Sequence, residues 1–172
     1  LRRPAVPDEA DVQDLSDDVR IGLFLCSCND TLASRAAIER VRALADDVPG
    51  IVHSEILMSA CHPAGADTIA EAMRSNNITR VILASCVCCP LEFQCISCND
   101  QRTRARLHLF ERLGLPRSRF ETINIRDSFL DTLSDDDVVE KARELLRSSF
   151  IRARYMKPLR LGHTEIGRNV LV

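Results

Sequence analysis

Apolar residues along this chain alternate between two rhythms. Ile21–Leu25 is an apolar run interrupted only by Gly22, the mark of a strand buried on both faces. It ends in Cys26-Ser27-Cys28-Asn29-Asp30. A helical period follows, with Ala37, Ile38, Val41, Leu44 and Ala45 on one face and Arg35, Glu39, Arg40 and Arg42 elsewhere. Pro49-Gly50 stops it. Ile51–Met58 is a second strand, with Cys61 just beyond. Pro63–Gly65 turns the chain, and Ala66, Ile69, Ala70 and Met73 mark a second helix that breaks at Asn76-Asn77. Arg80–Ser85 is a third strand, again followed by a cysteine, Cys86.

A third helix is expected over Gln101–Leu113, with Gly114 as its stop and Pro116 beyond. Phe120–Ile125 is the fourth strand. The last helix is the best signalled. Ser134 can cap it, and Asp135, Asp136 and Asp137 suit the positive end of its dipole. Val138, Ala142, Leu145, Ser149 and Ala153 then form a stripe, joined by Val139, Leu146 and Phe150. Four strand–helix alternations predict a parallel sheet with helices on both faces, a three-layer α/β/α sandwich of Rossmann or flavodoxin type. The expected strand order is 2-1-3-4.

At 172 residues the chain suits one domain with a substantial core. Its 23 Lys and Arg against 25 Asp and Glu give a net charge of −2, which argues against a nucleic-acid module. No apolar run approaches the length of a membrane span, and no signal-peptide pattern opens the sequence. Residues 1–19 hold two Pro and six Asp or Glu and read as a leader. The chain starts at Leu1 and closes on Val170-Leu171-Val172, so a piece of a longer cytoplasmic protein is expected.

Eight cysteines change the picture. Without a secretory signal they point to metal or redox chemistry rather than a disulfide framework. In the expected sheet, Cys26 and Cys28 follow strand one, Cys61 follows strand two and Cys86 follows strand three. The carboxyl ends of parallel strands share one edge, and adjacent strands lie about 4.8 Å apart. Thiolates there can converge on a four-iron four-sulfur cluster or on zinc. Cys88, Cys89, Cys95 and Cys98 form a second group, suited to a second metal centre or to thiol–disulfide exchange. Asn29-Asp30 and Asn99-Asp100 are expected to cap helices, and His62 reads as a surface-loop residue beside Cys61. His53, His108 and His163 lack ligand spacing, and no catalytic acid–base pair stands out.

The segments Ile21–Cys28, Cys61–Gly65, Arg80–Cys86 and Glu121–Arg126, with the tail from Ala153-Arg154 to Pro158-Leu159, resemble the N-terminal domain of the HdrA-like flavoproteins, the heterodisulfide reductase A subunits and their relatives. The likeness covers residues 20–172. It implies an iron–sulfur electron-transfer domain, with Cys26, Cys28, Cys61 and Cys86 at the family's cluster-ligand positions. It also implies FAD in the full-length protein but not in this fragment. Partners would be the FAD-binding domain of the same polypeptide and other electron-transfer subunits. On this reading residues 20–156 form the Cys-rich domain, and 157–172 are a linker and the first strand of a truncated FAD-binding domain. After Cys86 the chain departs from the family pattern, with an insertion that carries the other four cysteines. The rival readings are a zinc-stabilised docking module and a thiol–disulfide redox domain.

Overall fold

A computed structural model describes residues 18–86, 116–126, 129 and 134–157. Four strands form one parallel sheet: β1 Ile21–Cys26, β2 Ile51–Leu57, β3 Arg80–Ser85 and β4 Phe120–Asn124. Their order is β2-β1-β3-β4, as the alternation predicts. β1 and β3 are central and buried at every position, which is why their middles are almost wholly apolar. Residues 1–17, the expected helix over 101–113, the cysteines from 88 to 98, His108, His163, the Asn99-Asp100 pair and residues 158–172 lie outside the described residues.

Among the described residues, three helices cover the two faces: α1 Arg35–Ala43, α2 Pro63–Asn76 and α3 Asp135–Tyr155. Alternation along β1 sends Ile21, Leu23 and Leu25 to one side, where they meet Ala37, Ile38 and Val41 of α1 and Val138, Ala142 and Leu146 of α3. Phe24 and Cys26 go to the other side, against Ala66, Ile69 and Met73 of α2. The result is a three-layer α/β/α sandwich.

Helix ends follow local chemistry. Ser134 accepts the Asp137 amide at 3.2 Å and donates to the Asp137 carboxylate at 2.8 Å. Asn77 ends α2 in the left-handed region at φ 49°. The Arg20 guanidinium donates to the carbonyls of Asn76 and Asn77 there. Arg80 is only 3% exposed. It donates to the carbonyls of Asp18 and Met156, and so ties the amino end of β3 to the far end of α3. No described helix is long and apolar enough to cross a membrane.

Candidate metal centre

The site starts at the carboxyl end of β1. Cys26 pairs in register with Leu57, and the neighbouring Leu25 pairs with Ala84. Cys26 therefore lies level with the last residues of β2 and β3. Cys28, Cys61 and Cys86 extend from the same edge, and none of the four cysteines is in a disulfide. Cys26 is buried and the other three are part-exposed.

Beyond Cys26 the chain stays tied to β2. Ser27 N donates to Leu57 O at 2.9 Å and Asn29 N to Met58 O at 2.8 Å. Cys28, Asn29 and Asp30 all adopt positive φ, at 53°, 57° and 59°. Three consecutive left-handed residues make a sharp turn that is costly for side chains with a Cβ. It is closed by the Thr31 amide and hydroxyl, both donating to Cys28 O. The expectation that Asn29-Asp30 cap α1 is corrected here. Left-handed backbone is where Asn and Asp are best tolerated, so they form the turn. The cap is Ser34, which accepts the Ala37 amide at 3.0 Å. Ser34 also donates to Asp135 at 2.6 Å, so the first turns of α1 and α3 share one carboxylate.

The segment after β2 completes the edge. Ala60 N donates to Cys26 Sγ at 3.3 Å, and Ser59 Oγ lies 3.3 Å from Cys61 Sγ. His62 is more than a loop residue, because its Nδ1 accepts the Ala64 amide and caps α2 ahead of Pro63. The sequence carried that signal, since proline favours the first helical position and a side-chain acceptor belongs just before it. Gly65 lies against this segment so closely that a Cβ there would sit 2.5 Å from Ser59 O. His53 sits elsewhere, beside Glu55 at 3.0 Å and against the Phe24 ring.

Burial pushes the Cys26 thiol above its ordinary pKa. The Ala60 and Cys28 amides act in the opposite direction by donating to its sulfur. Cys28 and Cys86 are near enough for their charges to raise it further. Sulfur that is desolvated, amide-bonded and beside other thiols favours a soft metal centre over water. That donor chemistry fits an iron–sulfur cluster. Among the described residues, no three His, Cys, Asp or Glu side chains close on a single metal ion. Cys88, Cys89, Cys95 and Cys98 lie outside the described residues.

No family model matches the chain. Curated relatives do. The chain is 28% identical over 158 residues to an iron-sulfur A-type subunit of the CoB–CoM heterodisulfide reductase of Methanopyrus kandleri, covering 91% of this chain and 22% of that protein. It is 26% identical over 161 residues to a protein of Archaeoglobus profundus named as like the heterodisulfide reductase A-type subunit, covering 91% and 21%. It is 25% identical over 158 residues to the A-type subunit of the ferredoxin/F(420)H(2)-dependent CoB–CoM heterodisulfide reductase of Methanosarcina acetivorans, covering 90% and 18%. The chain spans about a fifth of the length of these relatives. Along about nine-tenths of its own length, it is similar to one region of heterodisulfide reductase A-type subunits.

Proposed function

We propose that this chain is an iron–sulfur electron-transfer domain of a cytoplasmic, HdrA-like flavoprotein oxidoreductase. The observation that carries the reading is the placement of Cys26, Cys28, Cys61 and Cys86 along one edge of the sheet, at or beyond the ends of three adjacent strands. A relative named as an iron-sulfur subunit supports the cofactor class. These four thiolates would hold a four-iron four-sulfur cluster, which when bound supplies reversible one-electron transfer.

The chain's own residues do the rest. β1 fixes Cys26 in the interior, and the Cys28–Asp30 turn brings the second thiol back to the same edge. Amides of Ala60 and Cys28 donate to Cys26 sulfur, which stabilises negative charge there. Leu57 and Ala60 are buried beside Cys26 and limit water on that side. Among the described residues Cys28, Cys61 and Cys86 are part-exposed, and a partner would approach from their side. In this proposal the FAD-binding domain of the same polypeptide and other electron-transfer subunits are the partners, and residues 88–98 offer a second centre.

The test is anaerobic purification, with a visible spectrum and iron, sulfide and zinc assays on one sample. About four iron and four sulfide per chain are expected, falling in Cys61→Ser. About eight iron would place a second cluster on Cys88, Cys89, Cys95 and Cys98. Stoichiometric zinc would replace the proposal with a docking module. Metal-free protein with fast reversible thiol oxidation would replace it with a dithiol domain.

A further inference from the structure

The segment between β2 and α2 brings a side chain, as well as backbone, to the sulfur edge. The bonds to Cys26 sulfur come from the amides of Ala60 and Cys28, groups that any residue type supplies. Ser59 differs. Its hydroxyl oxygen lies 3.3 Å from Cys61 Sγ, two positions along the chain. Backbone contacts on both sides set that placement. Met58 O accepts the Asn29 amide at 2.8 Å, which ties the residue before Ser59 to the Cys28–Asp30 turn. Ser59 O accepts the His62 amide at 3.3 Å, and Gly65 of α2 packs directly against it. The Ser59 peptide is therefore held between the turn after β1 and the first turn of α2, and it carries its hydroxyl beside Cys61.

In a pair of hydroxyl and thiol, either group can donate. A metal-bound sulfur carries no proton, so with a centre bound only the Ser59 O–H can donate and the Cys61 sulfur accepts. One added electron places more negative charge on the ligand sulfurs. A donor aimed at such a sulfur therefore favours the reduced form over the oxidised form and raises the reduction potential. Ser59 and Cys61 are both half-buried, so water weakens this bond less than it would a fully exposed one.

We infer that Ser59 is a positioning residue that sets the potential of this centre: its hydroxyl donates to the Cys61 ligand sulfur and holds the reduction potential up. The inference rests on the iron–sulfur reading above, with Cys61 among the ligands. Unlike an amide donor, this bond can be removed and restored by single substitutions. Ser59→Ala removes the donor, and Ser59→Thr keeps it. Ser59→Val matches Thr in shape but has no hydroxyl.

Redox titration of the anaerobically reconstituted 172-residue chain, followed by visible absorbance, tests this, with iron and sulfide assayed on the same samples. Ser59→Ala is expected to keep the iron content of the wild type. Loss of the one bond is expected to shift its reduction equilibrium about tenfold toward the oxidised form, a fall of about 59 mV for one electron. Ser59→Thr is expected to stay near the wild type and Ser59→Val to follow Ser59→Ala. Where the chain holds two centres, one couple is expected to shift and the other to stay. Full iron with wild-type potentials in the Ala and Val variants overturns the role of Ser59 and leaves the iron–sulfur reading standing. So does a Thr variant displaced as far as Val, since packing and not the hydroxyl would then set the potential. Loss of iron in both hydroxyl-free variants overturns it in favour of a role in holding the site together. Full iron in Cys61→Ser removes the acceptor from the ligand set and overturns it as well. A wild type without iron overturns the iron–sulfur reading itself, and the iron assay separates that failure from the others.

Discussion

Gly65→Ala probes how the edge is held. The added Cβ would lie 2.5 Å from Ser59 O and 3.0 Å from Ala60 Cα, and both atoms are backbone. Ordinary contact begins at 3.4 Å, so nearly an ångström must open between α2 and the segment 59–61. Overpacking of this kind costs about 1–3 kcal/mol. Opening the gap also stretches the Ala60 N–H bond to Cys26 sulfur, worth about 0.5–1.5 kcal/mol. Against this, alanine gains about 0.8–1.0 kcal/mol of helix propensity over glycine. The net expectation is a loss of about 1–3 kcal/mol. With a urea slope of about 1–3 kcal/mol/M, the unfolding midpoint should drop by roughly 1 M. Urea titration of the reduced, metal-free protein measures this directly. Iron content after reconstitution should fall too, because Cys61 and the Ala60 donor ride on the displaced segment. A midpoint that is unchanged or raised would refute the reasoning, since propensity alone would then account for the result.

Asn29→Val should cost about 1–2 kcal/mol in the same titration, because Val tolerates φ 57° poorly, while Asn29→Gly should be neutral or stabilising; equal effects would mean the turn relaxes freely. Ser134→Ala removes the α3 cap and should cost about 1 kcal/mol, lowering the thermal midpoint by several degrees. Glu121 is paired with Arg152, yet burial raises its carboxyl pKa above the usual value. The folded state therefore holds this proton more tightly than the unfolded chain. Glu121's favourable contribution is complete at low pH and is lost as pH rises from about 4.5 through the folded pKa. Urea midpoints of the wild type should accordingly fall relative to Glu121→Gln between about pH 4 and pH 7; a constant difference would count against burial as the cause.

Strands and helices were legible because each is set by a local period. The mostly apolar runs of β1 and β3 announce central strands, and the stripe from Val138 to Ala153 announces a helix facing the sheet. Their alternation also fixed which cysteines share an edge. What stayed hidden depends on contacts between distant segments or on backbone groups. No residue letter announces that Ala60 donates to Cys26, or that Ser34 and Asp135, 101 positions apart, share a bond. Asn29 and Asp30 suit both caps and left-handed turns, and only the fold chooses between them. Arg80 shows the reverse limit. A charged side chain at a strand start looks solvent-facing until three carbonyl and hydroxyl acceptors, on Asp18, Thr79 and Met156, are seen around it.

α3 runs the full depth of the sheet. Its first residue meets Ser34 beside the cysteines, and Met156 at its other end meets Arg80 at the opposite edge. Twenty-one helical residues span about 30 Å. α3 thus ends on the side remote from Cys26, Cys28, Cys61 and Cys86. Whatever is held at the end of α3 and whatever is held at the thiol edge are kept about 30 Å apart by one helix, so α3 acts as a rigid spacer across the sheet.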